Sequence, residues 1–512
     1  MYFLIALGIL LIILYLYGIK NHKYWEKKGV PYVKPIPFFG TNFKVFMQRI
    51  CISDQLCKYY EQFPNEKFVG AFIGDRIGLV LREPELIKRV MATDFQYFHP
   101  RGVNPHKTVY EPLLKNLFTG DGDMWKLLRQ RITPAFTSGK LKAMFPLIVE
   151  RAERLQIIAA TAAQSHGEVD VRELMARFTT DFIGACGFGI DADTLNDEES
   201  TFRRLGKRIF TLTRRDGFVF MLKTIAPEIF KNLHMFAPEI EKTTVDLVTS
   251  IMQQRKYKHS GRNDFIDFLL ELKGKGKIVG ESVEKRNPDG TPKIVEMELD
   301  DMLMAAQVFI FFAAGFETSS STTSYTLHQL AFHPEEQKKC QDQIDEVLSR
   351  HGGKLSYEAI KEMTYLDMIF KESMRMYPSL GILTRRCVQK YTFPGTNLTI
   401  DEDVLVCIPV HALHNDEKYF DEPEKFKPER FSPENIKNIP KYVYLPFGDG
   451  PRACIGERLG HMQSLAGLAA LLSKFSVAPS KNTLRQPITD PTCTVVKSIK
   501  GGLPLSLVAR KV

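Results

Sequence analysis

The chain has 512 residues, of which 44% are apolar and 25% charged, with a formal net charge of +9. That composition excludes a disordered or low-complexity protein. So small a charge over this length points to a basic surface patch rather than a nucleic-acid binder. The eight cysteines (51, 57, 186, 340, 387, 407, 454, 493) form no CxxC pair and no even spacing, which argues against a disulfide-stapled secreted protein and for a reducing compartment.

The first 19 residues, MYFLIALGILLIILYLYGI, carry no charged side chain and as a helix can cross a hydrocarbon core of about 30 Å. Lys20, Lys23, Lys27 and Lys28 follow, with Tyr24 and Trp25 expected at interfacial depth. Positive charge after the span puts the remaining chain on the cytosolic side. A cleaved signal peptide fits less well, because there is no charged n-region and no small-x-small cleavage site. Residues 1–20 are therefore read as a transmembrane anchor and residues 21–40, with Pro31, Pro35 and Pro37, as a stiff extended neck. Residues 41–512 form one body with no separable second domain.

Within that body, KFVGAFIGDRIGLVL (residues 67–81) alternates as short strands do, and helical periodicity dominates from Pro84 to Phe332. The Gly- and Lys-rich segment 273–293 is expected to be an exposed loop. A long helix follows, its apolar run Met302 to Gly315 broken by a single polar residue, Gln307. It is too short to span a membrane and is expected to pass through the protein's centre. Strands return between Cys387 and Ile408, and a last helix is expected from Ile455.

The stretch YLPFGDGPRACIGERLG (residues 444–460) concentrates the chemistry. Gly448 and Gly450 allow a tight turn against a flat ligand, and Arg452 can point a guanidinium at a carboxylate. Cys454 is expected in the first turn of the last helix, where free N–H groups favour a thiolate. Gly456 leaves its N–H open to the sulfur. Inside the long helix, AAGFETSS carries Gly315, which costs about 1 kcal/mol relative to alanine and hints at a close neighbour. The Thr318 hydroxyl can bond the carbonyl of Ala314, loosening the helix locally, and Glu317 stands beside it.

The pattern Phe447-Gly448-x-Gly450-x-Arg452-x-Cys454-x-Gly456 resembles the haem-ligand loop of the cytochrome P-450 monooxygenases at every position. The resemblance implies a mainly α fold with small peripheral β-sheets and haem b bound through the Cys454 thiolate, with Phe447, Arg452 and Gly456 around it. Trp125 and Arg129, at i and i+4 in WKLLR, are similar to the family's propionate-binding pair. Arg386 in LTRRC is expected as a further propionate partner, with Arg385 an adjacent competitor. Glu372 and Arg375 in KESMR, with Arg430 in FKPERF, resemble the buried network that braces the haem-side core. Glu317 and Thr318 match the acid–alcohol pair that delivers protons to oxygen. Ile310, Ala313, Ala314, Leu380, Gly381 and Ile382 are expected to line the substrate pocket, under a roof from Gly217 to Ala237.

As an activity, the resemblance implies insertion of one atom of O2 into a lipophilic small molecule: a xenobiotic, a steroid or a fatty-acid-like compound. Electrons would come from a membrane-bound NADPH–cytochrome reductase, with cytochrome b5 as a second donor, at the endoplasmic reticulum membrane with the catalytic domain cytosolic. Lys126, Lys140, Lys142, Lys441 and Arg458 flank the haem motifs and are candidates to meet an acidic partner. A haem-thiolate isomerase or dehydratase of peroxides is the alternative; such relatives often lose the acid–alcohol pair, which is present here. The neck departs from the family in lacking a Pro-Pro-Gly-Pro run.

Overall fold

A computed structural model describes residues 1–191, 194–195, 200–211, 213–262, 264–493 and 495–511. Helix α1 (Tyr2–Ile19) is apolar all round and buries none of its residues; its last turn meets the body at Gly18, against Phe38. Immediately after it the chain docks. Trp25 is fully buried, donates its indole N–H to the Ala71 carbonyl at 3.1 Å, and lies so close to Gly70 that a Cβ there would stand 2.4 Å from its ring. Lys20 pairs with Asp75 at 2.9 Å and Lys28 with Asp401 at 3.0 Å. Tyr32 bridges to Gly70 and Gly40 to Ile73. Residues 24–40 are therefore part of the body's edge rather than a free-standing neck, and Trp25 is a core residue rather than an interfacial one.

The sheet under this edge contains β1 (Phe68–Ile73) and β2 (Arg76–Leu81), paired antiparallel. Its order is completed by two strands from far along the chain, described below. Helix α2 (Gly122–Ile132) carries Trp125 and Arg129, and α3 (Ser138–His166) and α4 (Val171–Ile183) follow it.

The segment 273–293, expected as loop, instead contributes most of a hairpin of β3 (Ile278–Arg286) and β4 (Pro292–Met297). The turn Asn287-Pro288-Asp289-Gly290 closes it, with Gly290 at φ +84° and its N–H on the Asn287 carbonyl at 2.9 Å. The hairpin lies on α2: Asp123 accepts from Ser282 Oγ and from the Val283 N–H, both at 2.7 Å, and Arg131 reaches the Val279 carbonyl at 2.9 Å.

Helix α5 (Asp301–Phe332) is the long central helix. Asp300 caps it by accepting from the Leu303 N–H at 2.6 Å. Apolar groups on nearly all its faces require neighbours all round, and α4 and the last helix supply two of them. Helix α6 (Thr364–Met376) leads to β5 (Leu383–Arg386), and β6 (Leu405–Ile408) lies between β5 and β2, giving the order β1-β2-β6-β5. The chain closes with α7 (Glu457–Lys474) and a small sheet. The expected architecture, helices at the centre and small sheets at the rim, is the one present.

Candidate active site

Between α5, α2, β5 and the loop before α7 lies a cavity with about 1590 Å³ of atom-free space. That space runs into open solvent, and its lining is mostly apolar with a few charged groups, as small-molecule sites are. Ile310, Ala314, Thr318 and Thr322 recur every four residues along the α5 face that lines it. Ala313, expected there too, is one residue and so about 100° out of phase, buried and not part of the lining. The Thr318 hydroxyl donates to the Ala314 carbonyl at 2.6 Å, as its position implied. Gly315 is crowded from outside, since a Cβ there would lie 2.4 Å from Ile183.

Glu317 points away from the cavity. It is buried and ion-paired with Arg172 of α4, whose guanidinium also donates to Ser320 Oγ at 2.6 Å. The expected acid–alcohol pair is adjacent in sequence but divided in space, because one residue step on a helix turns the side chain by about 100°.

After α6, Pro378, Ser379, Leu380 and Leu383 line the cavity. Gly381 and Ile382 do not: Gly381 packs on Ser53, and Ile382 belongs to the apolar cluster around Leu56 and Tyr59. Ser379 ties this segment to α5, its hydroxyl 2.8 Å from Thr322 Oγ1 and 3.2 Å from the Thr318 carbonyl.

The loop carrying Cys454 turns at Gly448 and Gly450, both at φ +71°. At Gly450 a Cβ would stand 2.0 Å from the Met91 carbonyl, so only glycine fits. The Cys454 N–H donates to the Phe447 carbonyl at 2.9 Å, and the sulfur faces the cavity. Among the eight cysteines, only Cys454 lines it. Helix α7 begins at Glu457 with Gly456 as its N-cap, so Cys454 precedes the helix by two further residues rather than occupying its first turn. Although Cys454 is exposed to the open cavity, its enclosure by the surrounding protein pushes the thiol up, opposed by the Gly456 N–H and by Arg101 and Arg129.

Four guanidiniums gather on the same wall: Arg101, Arg129, Arg385 and Arg452. Arg452 is fully buried; it donates to the carbonyls of His99 and Gly120, both at 2.9 Å, and to Asp121 at 3.0 Å, while covering the Trp125 ring at 4.1 Å. The Nε atoms of Arg101 and Arg385 are buried without a partner. Burial and neighbouring guanidiniums press Arg385 well below its ordinary value. With Asp121 on Arg452 as its carboxylate partner, the cluster still carries an excess of positive charge. Arg386, expected as the propionate partner, is not on this wall. Strand β5 alternates, so Leu383 and Arg385 face the cavity, and Arg386 turns outward toward Asp121 (3.7 Å) and Asp403 (3.9 Å). Arg101 drew no sequence signal, since it sits in a loop with no periodicity.

Behind the loop, Glu372 accepts from Arg375 at 2.8 and 2.9 Å and from Arg430 at 3.3 Å. Arg375 also reaches the carbonyls of His414 (2.9 Å) and Pro423 (2.7 Å). The expected triad is assembled, buried and fully hydrogen-bonded, as a buried charge requires.

The arrangement fits a dianionic porphyrin: a largely apolar space, a thiol on its wall, and clustered guanidiniums, two of them with a partnerless Nε. Comparison with known proteins agrees. The family model described as Cytochrome P450 matches residues 30–504. Over 510 residues the chain is 37% identical to Cytochrome P450 6B2 of Helicoverpa armigera, covering 100% of this chain and 99% of the relative. It is 38% identical to Cytochrome P450 6a2 of Drosophila melanogaster, with 98% of each covered. To Cytochrome P450 6j1 of Blattella germanica it is 37% identical, with 94% of this chain and 92% of the relative covered.

Proposed function

Since the chain belongs to the cytochrome P450 family, haem-thiolate monooxygenases, we propose that Cys454 is the iron ligand and that Arg101, Arg129, Arg385 and Arg452, with Trp125, hold the haem edge. Phe447 and Gly456 would flank the sulfur. Bound there, haem supplies activation of O2 and transfer of one of its atoms to a C–H bond. The observation that carries the assignment is the meeting of one cysteine with four guanidiniums on a single cavity wall, two of them, Arg101 and Arg385, with a buried Nε that lacks a partner.

The chain's own part is positioning and proton supply. Ile310, Phe311, Ala314, Leu380, Leu383 and Phe118 make an apolar chamber that selects a lipophilic small molecule and excludes water. Thr318 holds its hydroxyl on the Ala314 carbonyl and, released from it, presents a proton donor to the chamber. Glu317, once its pairing with Arg172 opens, takes a proton from water and passes it on to Thr318. Keeping both groups supports oxygen chemistry over isomerisation of a preformed peroxide.

Electrons come from an NADPH reductase, and cytochrome b5 is a second donor of the same charge type. Lys140, Lys441 and Arg458 offer cations beside the loop, while Lys142 pairs with Glu358 at 2.8 Å and Lys126 stands 3.8 Å from Glu281. Helix α1 anchors the enzyme in the endoplasmic reticulum membrane with residues 41–512 in the cytosol. The reduced, CO-bound holoprotein should show the red-shifted Soret band of a thiolate-ligated haem, and Cys454→Ser should abolish it. An unchanged band in that variant would refute the assignment.

A further inference from the structure

Gln307 interrupts an otherwise apolar run in the central helix, and the haem and proton groups leave it unexplained. It is 1% exposed and lies on the cavity wall. Its Nε2 donates to the Lys115 carbonyl at 2.9 Å and to the Leu303 carbonyl at 3.1 Å, and its Oε1 accepts from the Leu117 N–H at 3.0 Å. A buried amide is costly unless its bonds are made; here one donor and one acceptor stitch the backbone of 115–117 to α5. The stitched segment is stiff in itself. Asn116, also 1% exposed, accepts from the Phe118 and Thr119 N–H groups at 2.9 and 3.0 Å and donates to the Leu113 carbonyl at 2.7 Å. Leu117 and Phe118 then project into the cavity, with the Arg101 guanidinium 4.8 Å from the Phe118 ring centre.

We propose that Gln307 is a specificity-positioning residue, which by clamping Lys115 and Leu117 to α5 sets how closely the Leu117–Phe118 wall approaches a bound substrate. It acts through those two side chains and not on the reacting atoms, and the proposal rests on the cavity being the monooxygenase site. Without the amide, the Leu117 N–H and Lys115 carbonyl must find water, and the segment can reach water only by leaving the helix. Ligands large enough to touch the wall lose that contact, and small ones do not.

The test uses full-length holoprotein in detergent, titrated optically with imidazole and with 4-phenylimidazole. In Gln307→Met, close in shape but unable to hydrogen-bond, the ratio of the two dissociation constants should shift about tenfold against the phenyl compound, the equivalent of one aromatic contact. Phe118→Ala should shift it similarly, and the double variant no further. Hydrogen exchange of residues 113–119 should quicken in Gln307→Met. If Gln307→Met gives no holoprotein, Gln307→Glu, which keeps the acceptor for Leu117 but loses the donor to Lys115, should show a smaller shift in the same direction. An unchanged ratio in the variant that folds, or additive effects with Phe118→Ala, overturns the proposal. Absence of a CO-bound thiolate spectrum in the unsubstituted protein would instead overturn the haem reading.

Discussion

Replacing Arg385 and Arg386 separately with leucine distinguishes two neighbours that differ only in strand phase. Both keep a buried Nε without a partner, but of the two it is Arg385 that lines the cavity. A charge-assisted hydrogen bond from it to a haem carboxylate is worth about 1.5–3 kcal/mol, or about 10- to 150-fold in haem affinity. Arg386 holds Asp121 and Asp403 only at 3.7 and 3.9 Å; such loose pairs are worth about 0–1 kcal/mol, which is under about fivefold. The two variants should also part in sign. Arg385 is buried beside Arg101 and Arg452, with its Nη1 on the Thr384 carbonyl at 2.8 Å; removing its charge relieves that repulsion, so Arg385→Leu should leave the haem-free protein as stable as the parent or more so while its haem is lost faster. The assay is transfer of haem to excess apomyoglobin, followed by absorbance, beside urea melts of the haem-free forms. Faster loss from Arg386→Leu than from Arg385→Leu would refute the assignment of faces on β5.

Arg375→Met strands the Glu372 carboxylate in the core and should cost about 3–5 kcal/mol in a urea melt, as loss of one partner of a buried pair does. His414 is buried, and burial, then the like charge of Arg375, hold it down to about 3, while its Nε2 accepts from the Leu445 N–H at 2.8 Å. The unfolded chain takes up that proton near pH 6.5 and the native state does not. Stability should therefore fall by about 1.4 kcal/mol per pH unit from about pH 6.5 down toward 3, and His414→Gln should flatten the slope. Deleting residues 2–19 should leave the thermal midpoint unchanged, whereas Trp25→Ala should cost about 3–5 kcal/mol by opening a core cavity. Equal effects of the two would place Trp25 outside the core.

What could be read from the residues alone depended on how local each geometry is. Glu372 and Arg375 were legible because i, i+3 spacing on an apolar helix already sets them side by side, and the cysteine loop because its glycines dictate the turn. The choice between Arg385 and Arg386 needed the phase of a four-residue strand, which is set by its pairing with Leu405–Ile408 across the sheet. Glu317 was placed correctly along the helix but not around it, since its partner Arg172 arrives from an element far away in sequence. The hairpin at 278–297 hid behind lysine-rich composition; its signal was Asn-Pro-Asp-Gly, a tight turn flanked by alternating residues. Gln307 stood out as polar, yet nothing nearby in sequence names Lys115 and Leu117 as its partners.

The seating of Trp25 leaves hardly any slack between α1 and the body: Phe38 donates its N–H to the Gly18 carbonyl at 3.1 Å, and Lys20 is held by Asp75. With α1 in a bilayer, the catalytic body cannot swing on a leash. Its height above the lipid would then be set by the same contacts that seat the chain's first forty residues.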